Sequence, residues 1–298
     1  GVDELKNNPE VLKQGSLISQ WENATWAWRQ KIMAQPSTAT DDIKIILLDQ
    51  ASLDWGANTN GLSWPWPREV YSLLLSFLQR AEAKVIAFDI IFTEPSLYGV
   101  ADDLQFAQAI QENPFILAVF LGQQTLQTKR WPDTIPASPI TLENKAQWLH
   151  SHHTQPQASF PIQTLAQAAP LLAHVNEDSD SDGVFRRVSL FNFFDQQLVP
   201  SMGLAAYLFN QPNQQIAFEE PFIINQTLSI KPDPNNKIIL KFTGPSGTHQ
   251  SFSAAAIIQA ELLLQAGEAS PINPSQFKDK YVFFGFSAPG LKDLRPTP

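Results

Sequence analysis

The chain has 298 residues, 43% of them hydrophobic, enough to bury the core of one large α/β domain and too much for a disordered chain. Lys and Arg number 20 against 29 Asp and Glu, and the formal charge of −9 repels phosphate backbones and anionic headgroups, so no nucleic-acid partner is expected. Cysteine is absent, which removes disulfides, thiolate nucleophiles and zinc fingers, and no run of about 18 apolar residues offers a bilayer span.

Residues 10–33 place Val11, Leu17, Ile18, Trp21, Ala24, Trp28 and Ile32 three and four apart, which predicts a helix with one apolar stripe. Asp42 then introduces the apolar run Ile43 to Leu48, ending at Asp49, which reads as a strand buried on both faces. Asp54, Gly56, Asn58, Asn60 and Gly61 are turn formers and predict a loop. Pro67 suits the first turn of a helix, where its missing N–H would have no partner, and Val70, Tyr71, Leu74, Leu75, Leu78 and Ala81 follow on one face. A strand over 85–92, a helix opened by the capping-box spacing of Asp102 and Gln105, and a strand over 115–121 come next. This alternation predicts right-handed crossovers and a parallel sheet.

Between 122 and 170 glutamine and proline dominate, and the periodicity supports one short helix near 162–172. Order returns with a strand over 186–194, a turn at 195–197 and a helix from Pro200-Ser201 through Leu208. Residues 223–230 and 238–242 read as an antiparallel pair, and Ser253 and Gly267 as the cap and stop of another helix. The last strand, 281–286, is apolar apart from Gly285 and belongs at the centre of the sheet. The expected fold is a single three-layer α/β/α domain with a mostly parallel central sheet, an antiparallel extension and a long N-terminal helix over 10–33. Its sheet core is 42–121 with 277–298, and 122–276 is the loop-rich segment carrying the extension.

Several spaced motifs run through this frame: Asp49 with Ser52-Leu53, Trp64-Pro65-Trp66 with Arg68, Phe88-Asp89-Ile90 with Phe92, and Asp102-Asp103 before Phe106-Ala107. Farther on stand Asp182-Gly183-Val184 with Arg186-Arg187, Val199-Pro200-Ser201, and Phe284-Gly285 with Ser287-Ala288, Gly290-Leu291, Asp293 and Thr297-Pro298. In this order they resemble the CHASE type 2 sensory domain, the second family of cyclase and histidine-kinase-associated extracellular sensors, over roughly residues 15–298. The resemblance implies an extracytoplasmic input module of a bacterial transmembrane receptor, anchored in an inner or plasma membrane. One membrane helix would precede it, several would follow, and the cytoplasmic output would be a nucleotide cyclase or a kinase. The segment 10–33 is then membrane-proximal, and the partners are an unknown small-molecule or protein signal, the flanking membrane helices and, through a long amphipathic face, a second copy. No ligand and no binding residue come over with the family.

Asp49, Asp89 and Asp293 each stand in or just after a core strand, where an unpartnered carboxylate is costly to desolvate. Parallel strands would gather them at the carboxyl-end crevice. Asp49, Ser52, Trp64, Trp66, Arg68, Asp89, Ser287 and Asp293 are therefore candidates for a polar or cationic ligand. The competing structural reading pairs Arg68 with Asp89 and uses Asp49 as a cap. Trp64 and Trp66 either stack on a sugar or aromatic ligand or pack on the following helix.

Asp178, Asp180 and Asp182 before Gly183 reproduce the first half of a calcium loop. Ser189 stands where a bidentate glutamate belongs, and Arg186 and Arg187 bring positive charge, so calcium and a plain acidic turn are both open readings. His150, His152 and His153 lack a visible scaffold for a metal. The chain has no nucleophile elbow, phosphate loop, dinucleotide fingerprint or zinc-protease motif, so a sensor without catalytic residues or cofactor is expected. The alternative is a periplasmic or secreted hydrolase or binding protein with Asp49 and Asp89 as an acid–base pair.

Overall fold

The computed structural model describes residues 34–288 apart from 144, 147–148, 150–153, 177–179, 181–183, 212–214, 218–221, 225–227, 234–236 and 246. The expected helix over 10–33 lies outside them. Seven strands form the central sheet: β1 (Ile43–Leu48), β2 (Val85–Phe88), β3 (Phe115–Gly122), β4 (Gln157–Ser159), β5 (Leu171–His174), β6 (Gln250–Ser253) and β7 (Tyr281–Phe286). Their order is β6-β1-β7-β2-β3, with β4 and β5 both on β3. All pairings are parallel except that of β3 with β4. The last strand thus lies between the first two, as its apolar composition requires.

Besides a single helical turn at Thr38–Asp41, six helices among the described residues position the rest: α1 (Gln50–Asn60), α2 (Arg68–Arg80), α3 (Val100–Gln111), α4 (Gln163–Ala168), α5 (Met202–Leu208) and α6 (Ala254–Gln265). Alternate residues of each strand face opposite sides, so two cores form. On one side Ile46, Leu48, Ile86, Phe88, Leu117 and Phe284 meet residues of α2, α3, α4 and α6 such as Leu74, Phe106, Leu165 and Ile257. The Phe88 ring sits 4.5 Å from Phe284 and 4.8 Å from Phe115. On the other side Val85, Ala87, Ile116 and Leu171 meet α5 and the hairpin of Phe191–Phe194 with Gln197–Pro200. That second layer covers β2, β3 and β5, while Ile45, Leu47 and Phe283 on β1 and β7 stay only half-buried.

Where the chain departs from expectation, the reasons are local. The segment read as a loop is helix α1. Asp49 accepts from the Ser52 N–H at 2.8 Å to start it, and Gly61 in the left-handed region (φ 64°) ends it, with the Leu62 N–H on the Gly56 carbonyl at 2.9 Å. The strand expected over 85–92 stops at Phe88, and the next residue, Asp89, is exposed while its N–H still reaches the Phe284 carbonyl at 2.8 Å. Asp102 is no cap of its own helix: Gly99 holds that position at φ 100°. Residues 162–172 divide into α4 and the start of β5, and 186–194 breaks at Leu190. Among the described residues the expected pairing of 223–230 with 238–242 is not formed. Lys237–Ile239 pairs with Arg187–Ser189, and Phe222–Ile224 with Leu228–Ile230, both antiparallel.

Candidate ligand-binding site

Asp49 ends β1 at the carboxyl edge of the sheet and is consumed by capping. Its Oδ1 accepts from Ser52 Oγ at 2.6 Å and Ser253 Oγ at 3.1 Å as well as from the Ser52 N–H. Ser52 Oγ in turn accepts from the Ala255 N–H at 3.1 Å, so one carboxylate and one hydroxyl satisfy the first turns of both α1 and α6. Ser52 is fully buried.

Arg68, the first residue of α2, is buried in a second polar cluster. Its Nε donates to Asp103 Oδ1 at 3.2 Å, its Nη2 to the Glu94 carbonyl at 2.8 Å, and its guanidinium lies 4.4 Å from the Phe92 ring centre. The partner is therefore Asp103 on α3, where the competing structural reading had Asp89. Asp102 reaches across from α3 to accept from the Arg68 N–H at 2.6 Å and the Glu69 N–H at 2.9 Å, capping α2 from a neighbouring helix. Ser96 donates its hydroxyl to Asp102 and its N–H to Asp103 at 2.9 Å. The cluster clamps the segment after β2 onto the start of α2.

This clamp forms one wall of a cavity of about 380 Å³ lined by Trp64, Trp66, Arg68, Tyr71, the segment Ile90–Leu97 and Phe286. Trp64 is 41% exposed and meets Phe286 edge-on at 5.4 Å, whereas Trp66 is buried against Tyr71 and Trp55. A Cβ at Gly56 would lie 2.9 Å from Trp66 Nε1, so a residue without a side chain lets α1 approach the indole. Burial pushes the Tyr71 phenol above its ordinary value, against the pull of the Arg68 charge, and keeps it neutral.

A larger cavity, about 570 Å³, opens on the opposite face, at the carboxyl ends of β1, β2, β5 and β7. Leu47 and Phe283 supply part of its apolar floor, and Phe185, Phe242 and Met202 stand over it. Its polar groups are Asp89, His174, Asn176, Arg187 and Ser201. Gly285 exposes a stretch of floor: a Cβ there would meet only Asp89 Cβ, at 3.9 Å. His174 is buried, with Nδ1 3.3 Å from the Asn176 N–H and Nε2 3.3 Å from Asn192 Nδ2. Arg187 is paired with Asp180 at 2.7 Å and Asp233 at 3.6 Å. The volume and the mix of apolar wall with a few polar groups are those of a small-molecule site at the carboxyl edge of a parallel sheet.

The chain matches the family model described as CHASE2 domain over residues 10–298. It belongs to the CHASE2 domain family. CHASE2 domains are a family of sensory extracellular domains, which is consistent with a signal-input role. Comparisons with curated proteins and with solved structures return no match.

The residues singled out in this CHASE2 domain by sequence fall into three places. Asp49 and Ser52 lie in the double cap, Trp64, Trp66 and Arg68 line the smaller cavity, and Asp89 lines the larger one. Ser287 follows β7 and donates its N–H to the Leu48 carbonyl at 3.1 Å. Asp293, Asp178, Asp182 and the histidines at 150, 152 and 153 lie outside the described residues. Asp180, the one described member of the acidic loop, holds Arg186 at 3.2 Å and Arg187 at 2.7 Å. Among the described residues no three His, Cys, Asp or Glu converge as metal ligands, and no helix is long and apolar enough to cross a membrane. Sequence reasoning missed His174, Asn176 and Arg187. The available signal was His174 closing the apolar run Leu171-Leu172-Ala173, a strand read instead as the end of a helix.

Proposed function

We propose that this CHASE2 domain is the extracytoplasmic input of a bacterial transmembrane receptor with a cyclase or kinase output, and that the signal is a ligand entering the larger, sheet-edge cavity. The observation that carries the reading is that cavity, set where β1, β2 and β7 end and floored by Gly285. A ligand there acts through different affinities for two arrangements of the strands around it. Family membership supports the sensory role; the output half and the anchoring belong to the proposal. Asp49, committed to the cap of α1 and to the Ser52 and Ser253 hydroxyls, is absent from the cavity lining, so an acid–base pair with Asp89 gains no support.

The test is a melting-temperature screen of the chain and of Gly285→Val against a library of small metabolites. Valine fills part of the floor while favouring the strand. A compound at about a hundred times its Kd stabilises the native state by about 2.7 kcal/mol, a rise of several degrees. The expected result is a rise that the variant loses. Stabilisers that act equally on both proteins, or none at all, would remove the cavity from the reading. The receptor context is checked on the full-length protein, where a product secreted free of any membrane would overturn it.

A further inference from the structure

We propose that the smaller cavity is a second binding site, and that it takes a flat aromatic ring carrying an amine. Its volume, about 380 Å³, lies in the small-ligand range. The lining is mostly aromatic, with the rings of Trp64, Trp66, Tyr71, Phe92 and Phe286. Trp66 and Tyr71 are buried, yet Trp64 keeps 41% of its surface accessible, which core packing does not require. The facing wall is preformed: Arg68 holds the Glu94 carbonyl, Asp102 and Asp103 hold Ser96, and the Ile162 N–H holds the Phe92 carbonyl at 2.8 Å. A rigid wall lowers the ordering cost of binding.

Charge selects the amine. Among the described residues the one cation in the lining is Arg68, already paired with Asp103 and backed by Asp102, while Glu94 in the same lining is exposed. Among the described residues the site and its backing are net negative, with Glu94, Asp102 and Asp103 against Arg68, and aromatic faces beside a carboxylate favour a cation over an anion. Phe286 is shared with the sheet-edge cavity, but the groups that would recognise the amine are not.

The experiment is calorimetric titration of the whole chain with tyramine and, as a charge-reversed control, 4-hydroxyphenylacetate. Tyramine is expected to bind saturably and more tightly than the carboxylate. Trp64→Ala should weaken it about tenfold, Trp64→Phe less than about threefold, and Glu94→Gln about threefold. Gly285→Val should leave tyramine affinity unchanged, which separates this site from the sheet-edge reading. Melting curves of the Trp64 variants report on folding, and the phenylalanine variant keeps the test valid if the alanine one unfolds. Absence of saturable binding, equal affinity for the two compounds, or a tyramine affinity untouched by Trp64→Ala and Glu94→Gln would overturn the proposal.

Discussion

At the scale of single residues, Glu261 shows how a charge is kept inside this protein. It sits on α6 with no exposed surface and accepts from Ser76 Oγ at 2.7 Å, Gln265 Nε2 at 2.9 Å, and Arg80 at 3.1 and 3.2 Å. Burial alone would push its carboxyl up. The hydrogen bonds from Arg80, Ser76 and Gln265, with the Arg80 charge, pull it below its ordinary value instead. A carboxyl whose pKa is lower folded than unfolded stabilises the native state above its unfolded pKa. That stability is lost as pH falls through the folded pKa. Glu261→Gln should therefore destabilise the protein at neutral pH and flatten the loss of stability below about pH 4.5, the ordinary value for the group. Urea midpoints across that range check both effects; an unchanged acid slope would show that other groups set it.

At the scale of elements, Asp102 joins two helices. Replacing it with Ala strips partners from the Arg68 and Glu69 N–H groups and from the Ser96 hydroxyl. The expected cost is about 2–3 kcal/mol, more than a lost surface cap, because these donors are at least partly buried. Denaturant unfolding measures it, and proteolysis near residues 93–99 should increase. The same elements show what the sequence made legible. Apolar runs announced β1, β3 and β7, although only β3 is buried on both faces and β1 and β7 keep one half-buried face, and the stripe from Val70 to Leu78 announced α2. Helix α1 stayed hidden because it turns Ser52 and Gly56 inward, small residues that carry no hydrophobic period. The partner of Lys237–Ile239 was illegible for another reason: its strand lies some fifty residues away, at Arg187–Ser189, and nothing local encodes that pairing. The site residues followed the same rule. Trp64, Trp66 and Arg68 come together because a short sequence holds them, whereas His174, Asn176 and Asp89 meet only through the sheet.

At the scale of the molecule, β1 and β7 pair from Ile43 with Tyr281 to Leu48 with Phe286, so the strand that follows the N-terminal segment and the one that precedes the C-terminal segment form a single ribbon. Phe286 closes that ribbon and is a wall of both cavities. Its ring shares a face with Phe284 and meets Trp64 on the side of the smaller cavity, whereas Gly285 faces the larger one, so a ligand in either cavity touches a strand bonded to both of its neighbours along the sheet. The ring's main aromatic contact among the described residues is Trp64, edge-on at 5.4 Å. Phe286→Ala should enlarge the smaller cavity and cost about 2–3 kcal/mol, below the range for a fully buried phenylalanine because the residue is half-buried. In a double-mutant cycle with Trp64→Ala the two losses should fall short of additive by about 1 kcal/mol, the coupling expected of an edge-on aromatic pair. Strict additivity in urea unfolding would mean that Trp64 and Phe286 act separately in the wall of the smaller cavity.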